Sequence, residues 1–133
     1  MNWKTERVTG ADLDMREVYD VYRSSGLGER RPVEETERFA DMVRNANLVV
    51  ICRVDGAMVG IARCISDFAY TTYLSDLAVR AEYQRRGVGR ALIEAARQEA
   101  PQAKIVLLSA PAATEYYPRA GFTQHPSAWV LNP

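Results

Sequence analysis

A short basic loop with two glycines is the part of this sequence best suited to chemistry. It spans residues 84–91 and reads Gln-Arg-Arg-Gly-Val-Gly-Arg-Ala. Glycine lets an anion approach the backbone because it carries no Cβ, and arginine donates charge-assisted hydrogen bonds that suit phosphate. If a helix begins here, its free N–H groups and its dipole attract an anion to the same place. The spacing therefore predicts a pyrophosphate site.

The flanking residues indicate a strand before this loop and a helix after it. The apolar run Tyr73–Val79 is typical of a buried strand, and apolar residues at the spacing of one helix face begin at Val88. Two common phosphate-binding motifs do not fit. The P-loop pattern Gly-x-x-x-x-Gly-Lys-[Ser/Thr] is absent, and Leu92 occupies the place of the third glycine in a dinucleotide fingerprint.

Strand, loop and helix together resemble the acyl-CoA-binding signature of the GNAT superfamily of N-acetyltransferases. That signature is an apolar strand followed by Gln/Arg-x-x-Gly-x-Gly/Ala and a helix, and Ala81 stands where many members have proline. The resemblance implies that the pantetheine arm of acetyl-CoA pairs with main-chain groups around Leu77 and Val79. It also implies that the pyrophosphate contacts backbone amides of the loop. The implied cofactor-binding residues are Leu77, Ala78, Val79, Gln84, Arg85, Arg86, Gly87, Val88, Gly89, Arg90 and Ala91.

A second motif lies downstream, at residues 116–122, and resembles the aromatic-Tyr-x-x-x-Gly-Phe run of the same enzymes. The position of the family's catalytic tyrosine is Tyr117. When an amine attacks the thioester, coenzyme A leaves as a thiolate whose reference pKa is about 8.5. A tyrosine with a pKa of about 10 is protonated at neutral pH and can donate that proton as a general acid. The competing interpretation is a packed tyrosine with a structural hydroxyl partner.

The general base is left open by the sequence. An alkyl amine with a pKa of about 10.4 is almost wholly protonated at pH 7, so one proton has to be removed. Some relatives place a carboxylate near the position of Tyr73, and Asp76 is the nearest acid here. A structural hydrogen bond is the competing role for Asp76, because a carboxylate in an apolar strand needs partners. His125, Glu115 and a chain of water molecules are further candidates.

Length and composition exclude several classes of function. A chain of 133 residues fits one domain, residues 1–133, and the formal net charge is zero, which does not favour a nucleic-acid partner. No apolar run approaches the ~20 residues of a membrane span, and residues 1–7 lack the apolar core expected of a signal peptide. Cys52 and Cys64 are expected to be buried and reduced, which fits a cytoplasmic protein. The expected cosubstrate is acetyl-CoA, with no metal.

The predicted fold class is α/β, with the element order of a GNAT domain over essentially the whole chain. We expect a strand at residues 3–8, a helix that ends near Gly26, and a second helix that begins near Pro32. A hairpin follows around Asp55-Gly56, with Val54 opposite Ala57 and Cys52 opposite Val59. After the signature come a strand at residues 104–110, a short helix at 111–120 and strands at 121–124 and 128–131. The resemblance implies a mixed sheet of six to seven strands, helices on both faces and a splayed cofactor cleft.

The resemblance implies transfer of an acetyl group from acetyl-CoA to a primary amine by direct attack in a ternary complex. The alternative is a non-catalytic module that senses acyl-CoA. The acceptor is expected to contact the loop at residues 26–31, the segment 68–73 and the Trp129 end. Arg30 and Arg31 suit an anionic acceptor, whereas Phe68, Tyr70 and Tyr73 suit an apolar one. Homodimers are common among the proteins that this chain resembles.

Overall fold

A mixed sheet of five strands forms the centre of the computed structural model, which describes residues 2–133. Each of the first three strands pairs antiparallel with the next, and the last strand is parallel to the fourth. The strands lie side by side in chain order: β1 (Trp3–Val8), β2 (Leu48–Val54), β3 (Ala57–Ser66), β4 (Thr71–Val79) and β5 (Lys104–Val106). The predicted α/β class and the first strand are confirmed.

Four α-helices connect or follow the strands: α1 (Met15–Ser25), α2 (Thr36–Asn45), α3 (Val88–Glu99) and α4 (Tyr116–Arg119). Helix α1 ends at Gly26, as predicted, in a left-handed conformation that glycine adopts without strain. The prediction that α2 begins near Pro32 is wrong, because residues 31–34 form a turn and the helix starts at Thr36. Arg31 precedes the proline and is extended, as its position favours. The turn then buries Val33 in the core.

Two apolar cores cover the two faces of the sheet. Alternate residues of β2 point to opposite faces, so that Val49 packs in the core under α1 and α2 while Val50 packs in the core under α3. Helix α3 approaches the sheet closely at Gly60, where a Cβ would lie 2.9 Å from Cδ1 of Leu92. The start of α3 is thereby held against β3. The prediction of helices on both faces is confirmed.

The hairpin between β2 and β3 forms with the predicted turn. Val54 pairs with Ala57, but Cys52 lies opposite Gly60 rather than Val59, because a bulge shifts the register between Cys52 and Arg53. Both cysteines are buried and unpaired, as expected. Burial raises the pKa of the Cys64 thiol to about 12, so that this group is an unreactive thiol at neutral pH.

The C-terminal part of the chain departs from the prediction of six to seven strands, which is wrong. Neither residues 121–124 nor residues 128–131 pair with another strand among residues 2–133, and β5 ends at Val106 rather than at residue 110. A strand needs a partner for its backbone groups and an apolar face to bury. Residues 121–124 lack a pairing partner although Phe122 packs against the core, and residues 128–131 have neither, since the side chains of Trp129 and Leu131 are 93% and 98% exposed. The predicted helix at 111–120 is reduced to a 3-10 turn, Pro111–Ala113, and α4.

Candidate active site

The sheet opens where β4 and β5 stop pairing. Their parallel ladder joins only Thr71–Tyr73 to Lys104–Val106, whereas β4 continues to Val79. The backbone of residues 74–79 is therefore bonded to β3 on one side and lacks a strand partner on the other, within the described chain. The resemblance implies a cofactor cleft between these two strands. The backbone of Leu77 and Val79, for which it implies pairing with the pantetheine arm, lies on this unpaired edge of β4.

The basic loop leads from this open edge directly into α3. Arg80 N–H donates to Val59 O at 2.8 Å, and the side-chain amide of Gln84 donates to Val79 O at 2.9 Å, so the loop is tied to both strands. Gly87 then serves as the N-cap with a φ of 94°, in the left-handed region that favours glycine. No side chain caps α3, and its first turn contains no acid. Its first N–H groups are thus available to an anion from outside the helix.

The residues that sequence reasoning assigned to the pyrophosphate come together at this helix start. Arg85, Arg86 and Arg90 are exposed, and the Arg86 guanidinium lies 5.8 Å from the ring centroid of Tyr83. Val88 differs from its neighbours in the loop, because its side chain is buried in the core and only its backbone can face a ligand. The arrangement combines amide donors with cationic side chains, which suits a diphosphate.

Tyr117 lies on α4, between two other aromatic rings. Its ring makes edge contacts with Tyr116 and Phe122, with centroids 5.2 and 5.4 Å away. Burial, together with neighbouring Tyr116, raises the pKa of Tyr117, while the charge of Arg31 acts in the opposite direction. The hydroxyl therefore keeps its proton at neutral pH, as a general acid requires. Pro118 is in the first turn of α4, where its missing N–H costs no helical hydrogen bond.

Asp76 is a buried carboxylate bound by three donors. Arg31 Nε donates to one oxygen, and Arg63 Nε and the Tyr22 hydroxyl donate to the other, each at 2.6 Å. Burial acts to raise the pKa of Asp76, but the charge and hydrogen bonds of Arg63, with those of Tyr22 and Arg31, outweigh it and lower the pKa. A carboxylate held this way has little affinity for another proton. The geometry thus favours the structural role for Asp76 over the general base.

Comparisons with known proteins agree with this geometry. A family model described as an acetyltransferase (GNAT) domain matches residues 18–130. The chain belongs to this GNAT family. The resemblance that rested on two motifs is therefore confirmed over most of the sequence.

Solved structures share the fold along the whole chain. A GNAT-family acetyltransferase from Streptococcus pneumoniae is 18% identical, with a TM-score of 0.77, and the match covers 99% of this chain and 100% of that one. A probable acetyltransferase from Staphylococcus aureus is 17% identical, with a TM-score of 0.78 and 99% of both chains covered. AAC(6′)-Iy, solved with the bisubstrate analogue CoA-S-monomethyl-acetylneamine, is 13% identical, with a TM-score of 0.75 and coverage of 100% and 99%. No match is found among curated proteins.

Arg31 lies in the loop at residues 26–31, where the sequence analysis predicts contact with the acceptor. Its guanidinium donates to the Asp76 carboxylate, to Arg30 O at 2.8 Å and to Ser75 O at 3.0 Å. All three nitrogens thus have partners, and Arg31 ties the loop at residues 26–31 to β4. Tyr70 lies 66% exposed beside Lys104, whose Nζ is 4.4 Å from the ring centroid. Trp129, which the sequence analysis places beside the acceptor, is almost fully exposed.

Sequence reasoning missed three contributors to the site. Arg63 and Tyr22, which bind Asp76, come from β3 and α1. A charged residue inside the apolar run of β3 was a signal that Arg63 has a buried partner. The ring of Trp3 lies against Gly87, since a Cβ built on this glycine would be 3.5 Å from the ring. No feature of the sequence near Trp3 indicates that contact, which depends on how β1 and α3 pack.

Among residues 2–133, no group of three or more His, Cys, Asp or Glu side chains is placed to hold a metal ion. Over the same residues, no helix has the length and apolarity needed to cross a membrane.

Proposed function

We propose that this GNAT domain is an N-acetyltransferase that transfers an acetyl group from acetyl-CoA to a primary amine. The observation that carries the proposal is the start of α3, which is uncapped, acid-free and opens on two glycines beside the unpaired edge of β4. The diphosphate binds the loop amides and arginines, and the pantetheine arm pairs with the backbone of Leu77 and Val79. AAC(6′)-Iy, with the same fold, was solved with an analogue that contains CoA, which supports this assignment.

The reaction is a direct attack of the amine nitrogen on the thioester carbonyl. A C–N bond forms and the C–S bond breaks, so that coenzyme A leaves as a thiolate. The nitrogen attacks as the free amine and releases its extra proton to water or another base. Tyr117 protonates the sulfur and then regains a proton from solvent. We assign no described side chain to the removal of the proton from nitrogen, because the carboxylate of Asp76 is already bound by three donors. The protein contributes mainly by holding both reactants in position.

Calorimetry with CoA and acetyl-CoA tests the binding part of the proposal. Gly87→Glu should weaken CoA binding at least tenfold, because a carboxylate then repels the diphosphate at the start of α3. Gly56→Glu is the matched control. Gly56 also has a positive φ, 83°, and a Cβ there meets nothing within 4 Å, but it lies in the hairpin turn away from α3. Wild-type protein without affinity for CoA, or equal losses in both variants, would contradict the proposal.

Thiol release from acetyl-CoA tests catalysis. The assay uses small amines, amino acids, polyamines, aminoglycosides and peptide N-termini as acceptors. Steady release with at least one acceptor is the expected result. Tight binding of acetyl-CoA without release by any acceptor would instead identify a sensor of acyl-CoA.

A further inference from the structure

The hydroxyl of Tyr116 is the one buried side-chain polar atom without a hydrogen-bond partner among residues 2–133. Buried hydroxyl groups almost always have a partner, since leaving one unpaired is costly. The ring itself is well held, because it packs against the core under α3 and makes an edge contact with Tyr117. The unpaired atom is therefore at the end of an ordered side chain.

The surroundings of this hydroxyl show what kind of partner it lacks. A Cβ on Gly89 would lie 2.6 Å from the Tyr116 oxygen and 3.8 Å from a methyl carbon of Leu77, so the hydroxyl sits between the first turn of α3 and β4. Arg90 is near enough for its charge to act on the phenol, opposing the rise in pKa that burial causes. The hydroxyl thus lies beside the first turn of α3, whose free N–H groups are donors, and close to the Arg90 guanidinium. Such surroundings favour an anionic acceptor as its partner.

We propose that the Tyr116 hydroxyl donates a hydrogen bond to a diphosphate oxygen of bound acyl-CoA. This inference rests on the proposed function and adds a side-chain donor to the amides and arginines of the loop. The phenol suits the role because burial raises the pKa of Tyr116, so that the hydroxyl keeps its proton at neutral pH. Adjacent tyrosines on α4 then contact two parts of the cofactor: Tyr116 contacts the diphosphate and Tyr117 contacts the sulfur.

Tyr116→Phe tests the contact while it preserves the ring. We expect CoA affinity to fall roughly tenfold, the size of a lost hydrogen bond to a charged acceptor. The KM for acetyl-CoA should rise with little change in kcat, whereas a general acid shows the reverse split. Tyr19→Phe is the control, since it removes a hydroxyl on α1 that donates to Glu34 and should change neither value.

Two further measurements distinguish this role from a structural one. Without ligand, the Tm of Tyr116→Phe should equal or exceed that of the wild type, because the lost hydroxyl had no partner in the protein. ADP, which carries a diphosphate without the pantetheine arm, should show the same relative loss of affinity as CoA. Unchanged CoA affinity, a loss confined to CoA, or a lowered Tm would each overturn the assignment. Wild-type protein without CoA affinity would instead overturn the proposed function.

Discussion

The surroundings of Tyr117 keep its hydroxyl protonated at neutral pH, as the proposed role of general acid requires. Tyr117→Phe retains the ring contacts with Tyr116 and Phe122 but removes the acidic hydrogen. We expect kcat to fall about a hundredfold, as the loss of a general acid does, while the Kd for acetyl-CoA stays the same. Steady-state thiol release and calorimetry measure the two quantities.

The pH dependence of the wild type provides an independent check of this role. Because burial raises the pKa of Tyr117, the protonated form should persist past pH 10, and kcat should decline only above that value. Tyr19→Phe, which removes a hydroxyl on α1 that donates to Glu34, is a suitable control. An unchanged kcat in Tyr117→Phe would assign this tyrosine to packing alone.

We expect CoA binding to depend on how closely α3 packs against β3, because this packing positions the start of the helix. Gly60→Ala places a Cβ 2.9 Å from Leu92 Cδ1 and 3.1 Å from Val88 Cγ1. Such overpacking costs about 1–3 kcal/mol and moves the helix away from the sheet. Because Val88 is the first residue of α3, we expect CoA affinity to fall together with stability, although Gly60 lies below the helix and not at the loop.

A second substitution isolates this steric cause. Leu92→Ala removes the nearest methyl group. The loss of unfolding free energy in the double variant should therefore be smaller than the sum of the losses in the two single variants. Urea denaturation measures the stability and calorimetry the CoA affinity. Strict additivity would show that Gly60 and Leu92 do not contact each other as described. If Gly60→Ala is destabilised but keeps full CoA affinity, CoA binding does not depend on the packing of α3 against β3.

Local signals in the sequence predicted the elements around the proposed cofactor site. Features that depend on contacts between distant residues could not be predicted. The turn at Asp55-Gly56, the cap at Gly26 and the loop that starts α3 depend on neighbouring residues, so they were predictable. The partners of Asp76 were not, because Tyr22 and Arg63 come from separate elements whose packing no local pattern encodes. The absent strands at 121–124 and 128–131 show the same limit, since apolar patterning does not supply a pairing partner.

The Asp76 cluster joins four parts of the molecule: α1, β3, β4 and the loop that precedes α2. Tyr22 comes from α1, Arg63 from β3, and Arg31 from the loop that precedes α2, and all three bind one carboxylate. Asp76→Asn leaves the Arg63 guanidinium buried without its counter-charge. We expect a loss of about 3–5 kcal/mol in unfolding free energy at pH 7, as for other broken buried ion pairs. Asp20→Asn, at an exposed position of α1, is the control and should cost little.

The pH dependence of this loss follows from the lowered pKa of Asp76. A carboxylate with a native pKa below its unfolded value of about 3.9 stabilises the fold above that pH, and the stabilisation is lost as pH falls through the native pKa. The difference in stability between wild type and Asp76→Asn should therefore be full at pH 6–7 and narrow below about pH 4. Urea denaturation at several pH values measures it. If Asp76→Asn is as stable as the wild type and its kcat no longer depends on the ionisation of a base, the structural assignment is wrong. Asp76 would then be the general base.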